Sequence, residues 1–318
     1  MRAVQVTSPD GPGAVEVRDV PEPTPQQDEV LVEVHRVGVA FPDLLLSKGM
    51  YQLKPEPPFT LGVDFAGTVV DAAHGFEAGQ RVAGVLPYGG GSELVAAPAD
   101  AVLPLPGAMS YDDGAALPMN YLTAHFGLVV RGQLREGETV VVHGAAGGVG
   151  TATIQVARGW GARTIAVVSS DEKAEVARAA GADEVVRVEA FRDEVTRLGG
   201  ADIVLDVVGG DLFTDSLRVL KEQGRLLVVG FAAGQGIPEV RVNRLLLNNI
   251  DVRGVGWGAY AMTRPGFMRR QWDELVPLME DGTIRPPIGE TYALEDFGRA
   301  LSDMEDRKTL GKSVVVVR

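Results

Sequence analysis

The segment Thr139-Val-Val-Val-His-Gly-Ala-Ala-Gly-Gly-Val-Gly150 constrains the fold more than any other part of this 318-residue chain. An apolar run stops abruptly at Gly144, Gly147 and Gly150, and a helical pattern over 151–160 follows. Strand, tight glycine turn and helix, in that order, let backbone N–H groups approach a pyrophosphate at the positive end of a helix. The spacing is Gly-x-x-Gly-x-x-Gly, a variant of the commoner Gly-x-Gly-x-x-Gly. Alone it marks only a tight turn. Followed by five more strand patterns with helices between, it reads as a dinucleotide site.

Those patterns lie in a segment set off by its proline content. Fourteen of the 19 prolines fall in residues 1–118, and none occurs between Pro118 and Pro238. Charge changes at the same place: 1–118 carries 6 basic and 16 acidic side chains, whereas 119–258 carries 15 and 17. The first segment alternates short β-rich runs, such as Glu29–Val39 and Gly67–Asp71, with Pro/Gly turns, as an irregular β-barrel does. The second holds strand candidates at 139–143, 164–169, 184–188, 202–207, 225–230 and 250–256. Helix candidates fall at 148–160, 171–180, 191–198, 211–221 and 243–248. The strand runs are apolar almost throughout, which suits strands covered on both faces of a parallel sheet. Asp171 and Asp211 are candidate helix N-caps, and Gly161 and Gly181 candidate left-handed ends. The remaining 259–318 contains an amphipathic helix (Met268, Trp272, Leu275, Met279) and a last strand, Ser313–Val317. We expect this tail to return to the first domain, so that 1–118 and 259–318 form one discontinuous body around a 119–258 doubly wound domain.

Net charge is −13, which argues against nucleic acid or an anionic membrane surface as partner. No apolar run reaches the roughly 20 residues of a membrane span, and no signal-peptide pattern opens the chain. A cytoplasmic protein is the default expectation. The chain has no cysteine, so thiolate-ligated zinc, the Lewis acid of one large dehydrogenase class, cannot be built from it. His35, His74, His125 and His143 are scattered without ligand spacing and read as strand, loop or core residues.

The end of the second strand bears on the choice of dinucleotide. NAD sites usually place Asp or Glu there for the ribose hydroxyls. This chain reads Val167-Val-Ser169-Ser170-Asp-Glu-Lys173, with hydroxyls at the strand end and an ammonium one turn into the next helix. That set suits the 2′-phosphate of NADPH better than the free ribose of NADH. A bare helix cap by the serines, or Asp171 as a late ribose acid, is the competing reading.

The chain resembles the zinc-independent branch of the medium-chain dehydrogenase/reductase superfamily, the quinone oxidoreductase or zeta-crystallin-like group. The matching stretches are Gly38-Val-Ala-Phe-Pro-Asp-Leu44, Gly62-Val-Asp-Phe-Ala-Gly67, Ala145-Ala-Gly-Gly-Val-Gly150, Gly254-Val-Gly-Trp-Gly-Ala-Tyr260 and Lys308-Thr-Leu-Gly-Lys312. The resemblance implies a GroES-like catalytic domain in two pieces around a Rossmann domain, with the active site in the cleft between. It also implies NADPH-dependent reduction of quinones or α,β-unsaturated carbonyl compounds, a small electrophilic substrate, and a homodimer. Zinc-dependent relatives would read Gly-His-Glu where Gly62-Val63-Asp64 stands here, and valine cannot ligate.

The candidate cofactor residues are Thr123, Ala146, Gly147, Gly148, Val149, Gly150, Ser169, Ser170, Lys173, Gly230 and Phe231. Tyr51, in Gly49-Met-Tyr51, corresponds to an active-site tyrosine in relatives and is the candidate catalytic donor. Its O–H would meet the negative charge that develops on a carbonyl oxygen. Ala40, where the family usually has Asn, with Phe41, Trp257 and Tyr260, makes up the candidate substrate pocket. Asp43 and Asp64 read as structural acids that hold loops through backbone N–H groups. Arg269 and Arg270 read as solvated helix-surface arginines, with attraction of an anionic acyl-CoA as the alternative. Two other functions stay open: an enoyl-CoA reductase of the acryloyl-CoA type, and an NADPH-binding crystallin-like protein with little turnover.

Overall fold

The computed structural model describes all residues, 1–318. The chain divides into two units. One comprises Met1–Met119, Arg264–Glu280 and Ile288–Arg318, and the other Asn120–Thr263 with Asp281–Pro287. Residues 259–263 therefore stay with the second unit, and the short stretch 281–287 also groups with it, apart from the rest of the tail. Its tie is Gln155: the side-chain amide donates to the Arg285 carbonyl at 2.7 Å and accepts from the Arg285 N–H at 2.9 Å.

The second unit is built on strands β1 (Thr139–His143), β2 (Arg163–Val168), β3 (Glu184–Arg187), β4 (Ala201–Asp206), β5 (Leu220–Val228) and β6 (Asp251–Gly254). They form one parallel sheet in the order 3-2-1-4-5-6, the order of a doubly wound dinucleotide fold. Helices α1 (Gly148–Gly159), α2 (Asp171–Ala179), α3 (Phe191–Arg197), α4 (Leu212–Val219) and α5 (Asn243–Asn248) make the connections. Every residue of β1 is buried, as a central strand covered on both faces must be. Gly161 (φ 72°) and Gly181 (φ 97°) follow α1 and α2 in the left-handed region, where a Cβ would be strained.

Three local expectations need correction. Asp171 does not cap α2: Ser170 is the N-cap, its Oγ accepting from the Lys173 N–H at 3.3 Å, and Asp171 is the first helical residue. Asp211 stands at the start of α4 with helical backbone and makes no capping bond; its carboxylate lies against the Gln235 amide instead. Finally, α4 stops at Val219, and the chain enters β5 at once because Leu220 pairs with Ala201. A bulge between Ala201 and Ile203 then resets the register to Arg225.

The first unit holds a seven-stranded, mainly antiparallel sheet and a three-stranded one. Its central strand, Glu29–Gly38, alternates buried and part-exposed residues and pairs with Asp64–Val69, Leu94–Pro98 and the chain's last strand, Lys312–Val316. The strand expected at Gly67–Asp71 begins earlier, at Asp64, because Asp64 is in register with both Gly38 and Val85. In the helix Phe267–Glu280, Met268, Trp272, Leu275 and Met279 are the buried stripe, and the Trp272 Nε1–H donates to the Pro104 carbonyl at 2.9 Å. No helix is long and apolar enough to cross a membrane.

Candidate dinucleotide site and substrate face

In the second unit the glycines of the fingerprint are required by close approach. Gly144 has φ 63°. A Cβ on Gly150 would stand 2.2 Å from the Gly144 carbonyl oxygen, and one on Gly148 would stand 2.6 Å from the Asn120 amide. Gly147 is the N-cap of α1 and donates its N–H to the Gly144 carbonyl at 2.9 Å. The first N–H groups of α1, those of Gly148, Val149 and Gly150, have no carbonyl one turn back to bond. They are left as donors at the positive end of a twelve-residue helix. Ala146 is buried within the turn, and Thr123 is buried in the helix Pro118–His125.

At the end of β2, Ser169 is exposed, and Lys173 Nζ lies 3.4 Å from its Oγ. A residue missed by the sequence reading joins them. Arg187, at the end of β3, donates through Nη2 to the Ser169 carbonyl at 2.7 Å and pairs through Nη1 with Asp171 at 2.8 Å. The register that sets Val168 beside Arg187 puts it there. A basic residue at the end of the third strand of such a fold was the available signal. Asp171, the alternative ribose acid, is an exposed surface partner of this guanidinium.

The loop after β5 carries Gly230 and the exposed Phe231. It is held to the turn after β4 by backbone bonds: Val229 N–H to the Asp206 carbonyl, Ala232 N–H to Val207 and Ala233 N–H to Val208. In the same unit Trp257 is buried, and the half-buried Tyr260 ring lies 5.0 Å from that of Phe126.

The remaining candidates lie in the first unit. Ala40 is buried and forms the N-cap position of the helix Phe41–Ser47, with Phe41 exposed. Asp43 organises this corner: Oδ2 accepts from the Ala40 N–H and Oδ1 from the Gly62 N–H, both at 2.9 Å. Asp43 is fully buried, and that burial pushes its carboxyl up to about 7 despite the two backbone donors and the attraction of Lys312. Tyr51 is half-buried against the β-sheet core, and burial together with the Asp43 charge raises its phenol above the ordinary value. It is therefore an O–H donor at neutral pH. Asp64 binds the Met119 N–H at 2.8 Å, so both acids hold loops. Val63, at the position of the metal-binding histidine of zinc enzymes, is buried and apolar. The four histidines lie apart in their surroundings. His35 stacks on Tyr111, His74 occupies a turn at φ 51°, His125 meets Trp160, and His143 bonds Ser216. Arg269 pairs with Asp273 one turn along its helix, and the Arg270 guanidinium lies over the Phe267 ring.

A strand-ordered nucleotide fold joined to a β-rich unit built from both chain ends defines a medium-chain dehydrogenase/reductase. Residues 26–107 match the family model of the alcohol dehydrogenase GroES-like domain, and 148–281 that of the zinc-binding dehydrogenase. Quinone oxidoreductase-like protein 2 of Bos taurus is 36% identical over 302 residues, covering 92% of this chain and 86% of the relative. A probable oxidoreductase from Mycobacterium abscessus is 40% identical, with a TM-score of 0.90 over 99% of this chain and 98% of that one. The quinone oxidoreductase from Thermus thermophilus, solved also in complex with NADPH, is 34% identical, with a TM-score of 0.86 over 100% of both chains. The chain belongs to the quinone oxidoreductase family of medium-chain dehydrogenases/reductases.

Proposed function

We propose that this chain is an NADPH-dependent, zinc-independent reductase of quinones or α,β-unsaturated carbonyl compounds. The observation that carries the reading is the cluster of Ser169, Ser170, Lys173 and Arg187 at the end of β2 and β3, where an NAD site has an acid. The NADPH complex of the Thermus relative supports it. When bound, the reduced nicotinamide supplies hydride. The α1 N-terminus and the Gly144–Gly150 turn bind and orient the diphosphate, and Lys173 and Arg187 bind the 2′-phosphate. Tyr51 O–H donates to the substrate oxygen as negative charge grows on it. Ala40 and Phe41 of the first unit, and Trp257 and Tyr260 of the second, are the candidate apolar and aromatic side chains for a flat electrophile, and most of the acceleration comes from positioning.

Zinc plays no part in this proposal, because Val63 and the absence of cysteine leave the family's metal position without ligands. We further propose a homodimer. Strand β6 is an open edge of the sheet, and Ile237, Val242, Leu246 and Leu247 stand exposed just before it in the chain, a surface suited to a second copy. Light scattering on the purified protein measures this; a monomer mass at micromolar concentration would count against it.

The deciding experiment is an NADPH-oxidation screen over quinones, enones, 2-haloacrylates and enoyl-CoA esters, with zinc content measured alongside. Turnover of quinones or enones above the CoA esters is the expected result. Preference for acryloyl-CoA or crotonyl-CoA would make the protein an enoyl-CoA reductase. No oxidation with any electrophile, in a protein that still binds NADPH, would make it a binding protein.

A further inference from the structure

Arg187 meets β2 with only part of its guanidinium committed to the fold. Nε is buried, and Nη2 donates to the Ser169 carbonyl at 2.7 Å, so packing and backbone already hold the group in place. The remaining edge, Nη1, pairs with Asp171 Oδ1 at 2.8 Å. The Arg187 side chain is 42% exposed and that of Asp171 is 98% exposed. An ion pair this open to water is weak and readily exchanged. Ser169 is contacted by a second base, because Lys173 Nζ lies 3.4 Å from its Oγ. Three acids act on these two bases. They are Asp171, then Glu172, which feels the charge of both Arg187 and Lys173, and Glu189, whose Oε2 lies 3.9 Å from Arg187 Nε. The positive charge of this corner is therefore already matched by carboxylates.

We propose that Asp171 is a specificity-determining residue that competes with the 2′-phosphate of NADPH for Arg187. The inference rests on the NADPH reading of this corner and names what limits it. A phosphate monoester carries roughly two negative charges at neutral pH, and a guanidinium binds it more strongly than it binds a solvated carboxylate. With NADPH, Nη1 exchanges Asp171 for a phosphate oxygen while Nη2 keeps the Ser169 carbonyl. The Asp171 carboxylate, already in solvent, is released to water without a burial cost in either state. With NADH, which brings only a ribose hydroxyl, the Asp171–Arg187 pair stays closed. Asp171 thus opposes the preference that Lys173 and Arg187 create, and the balance sets how strongly the protein discriminates. Its role is the reverse of the ribose acid in an NAD site: it lowers affinity for one cofactor instead of raising affinity for the other.

The test is calorimetric titration of the parent and of Asp171→Asn with NADPH and with NADH at low ionic strength. Asparagine keeps the size of the side chain and removes its charge. The NADPH Kd should fall about threefold, the scale of an exposed ion pair, while the NADH Kd stays unchanged. The gain should shrink in about 0.5 M salt, where exposed charges are screened. In an Arg187→Gln background the same change should bring a clearly smaller gain, because no guanidinium is left to release. An undiminished gain there would mean through-space repulsion and overturn the competition. A selective loss of NADH affinity in Asp171→Asn would make Asp171 a ribose acid, and a selective loss of NADPH affinity would make it a prop for Arg187. Either result, or no change with either cofactor, overturns the inference. The two readings fail separately: a parent that prefers NADPH, with an unmoved Asp171→Asn, removes only the competition, whereas a parent that binds neither cofactor removes both.

Discussion

Lys312 Nζ lies 2.6 Å from Asp64 Oδ2, and both side chains are buried, 248 residues apart in sequence. The strand Lys312–Val316 reaches Asp64 only by pairing with Glu29–Gly38, and Gly38 leaves the space: a Cβ there would sit 1.8 Å from the Ala115 carbonyl and 2.7 Å from Lys312 Cε. One ion pair thus joins the chain's last strand to the loop sequence Gly62-Val-Asp64.

Lys312→Met should be strongly destabilising, by about 3–5 kcal/mol, because it leaves the Asp64 charge buried and unpaired. Lys312→Met with Asp64→Asn should recover part of the loss, since the amide oxygen can still accept from Met119 N–H. Urea unfolding of the two variants measures this. Equal stability of Lys312→Met and the parent would contradict the buried geometry.

The folded-state carboxyl of Asp43 lies at about 7, against roughly 3.9 in an unfolded chain. A raised carboxyl makes the folded state bind the extra proton, so its contribution to stability is complete below about pH 4. That contribution is lost as pH rises towards about 7. Stability of the parent should therefore carry a falling, one-proton component across that window. Asp43→Asn should lose the Asp43 part of that fall and keep the part due to Asp64, whose carboxyl burial also raises. Unfolding free energies measured from pH 4 to 8 decide the point.

Lys173→Glu and Arg187→Glu should each weaken NADPH selectively, replacing attraction with repulsion at the 2′-phosphate, and leave NADH affinity nearly unchanged. Fluorescence titrations with both cofactors read the split. Equal affinities of the parent for NADPH and NADH would remove the basis for the assignment.

Tyr51→Phe should lower hydride transfer to an enone while keeping NADPH affinity. Loss of a principal oxyanion donor costs on the order of 10²–10³ in rate. Quinones should suffer less, since their reduced anions are intrinsically stabilised. Stopped-flow traces at saturating substrate test it, and an unchanged enone rate would leave Tyr51 as a wall residue.

Several elements of both units could be read from the chain alone. The strands over 139–143 and 202–207 and the amphipathic stripe Met268, Trp272, Leu275 and Met279 follow from local periodicity. So does the sharp turn at Gly144, where the glycines answer to nearby steric demands. Periodicity and backbone sterics are short-range, so sequence determines them. Other features were decided only by tertiary structure. Arg187 joins Ser169 because two strands lie in parallel register; Asp43 is poised near neutrality because it is buried whole; His143 and Asp206 end adjacent strands in a sheet order that no local pattern encodes. Register, burial and ionisation depend on residues tens to hundreds of positions away, and a one-dimensional pattern carries no record of which of them will become neighbours.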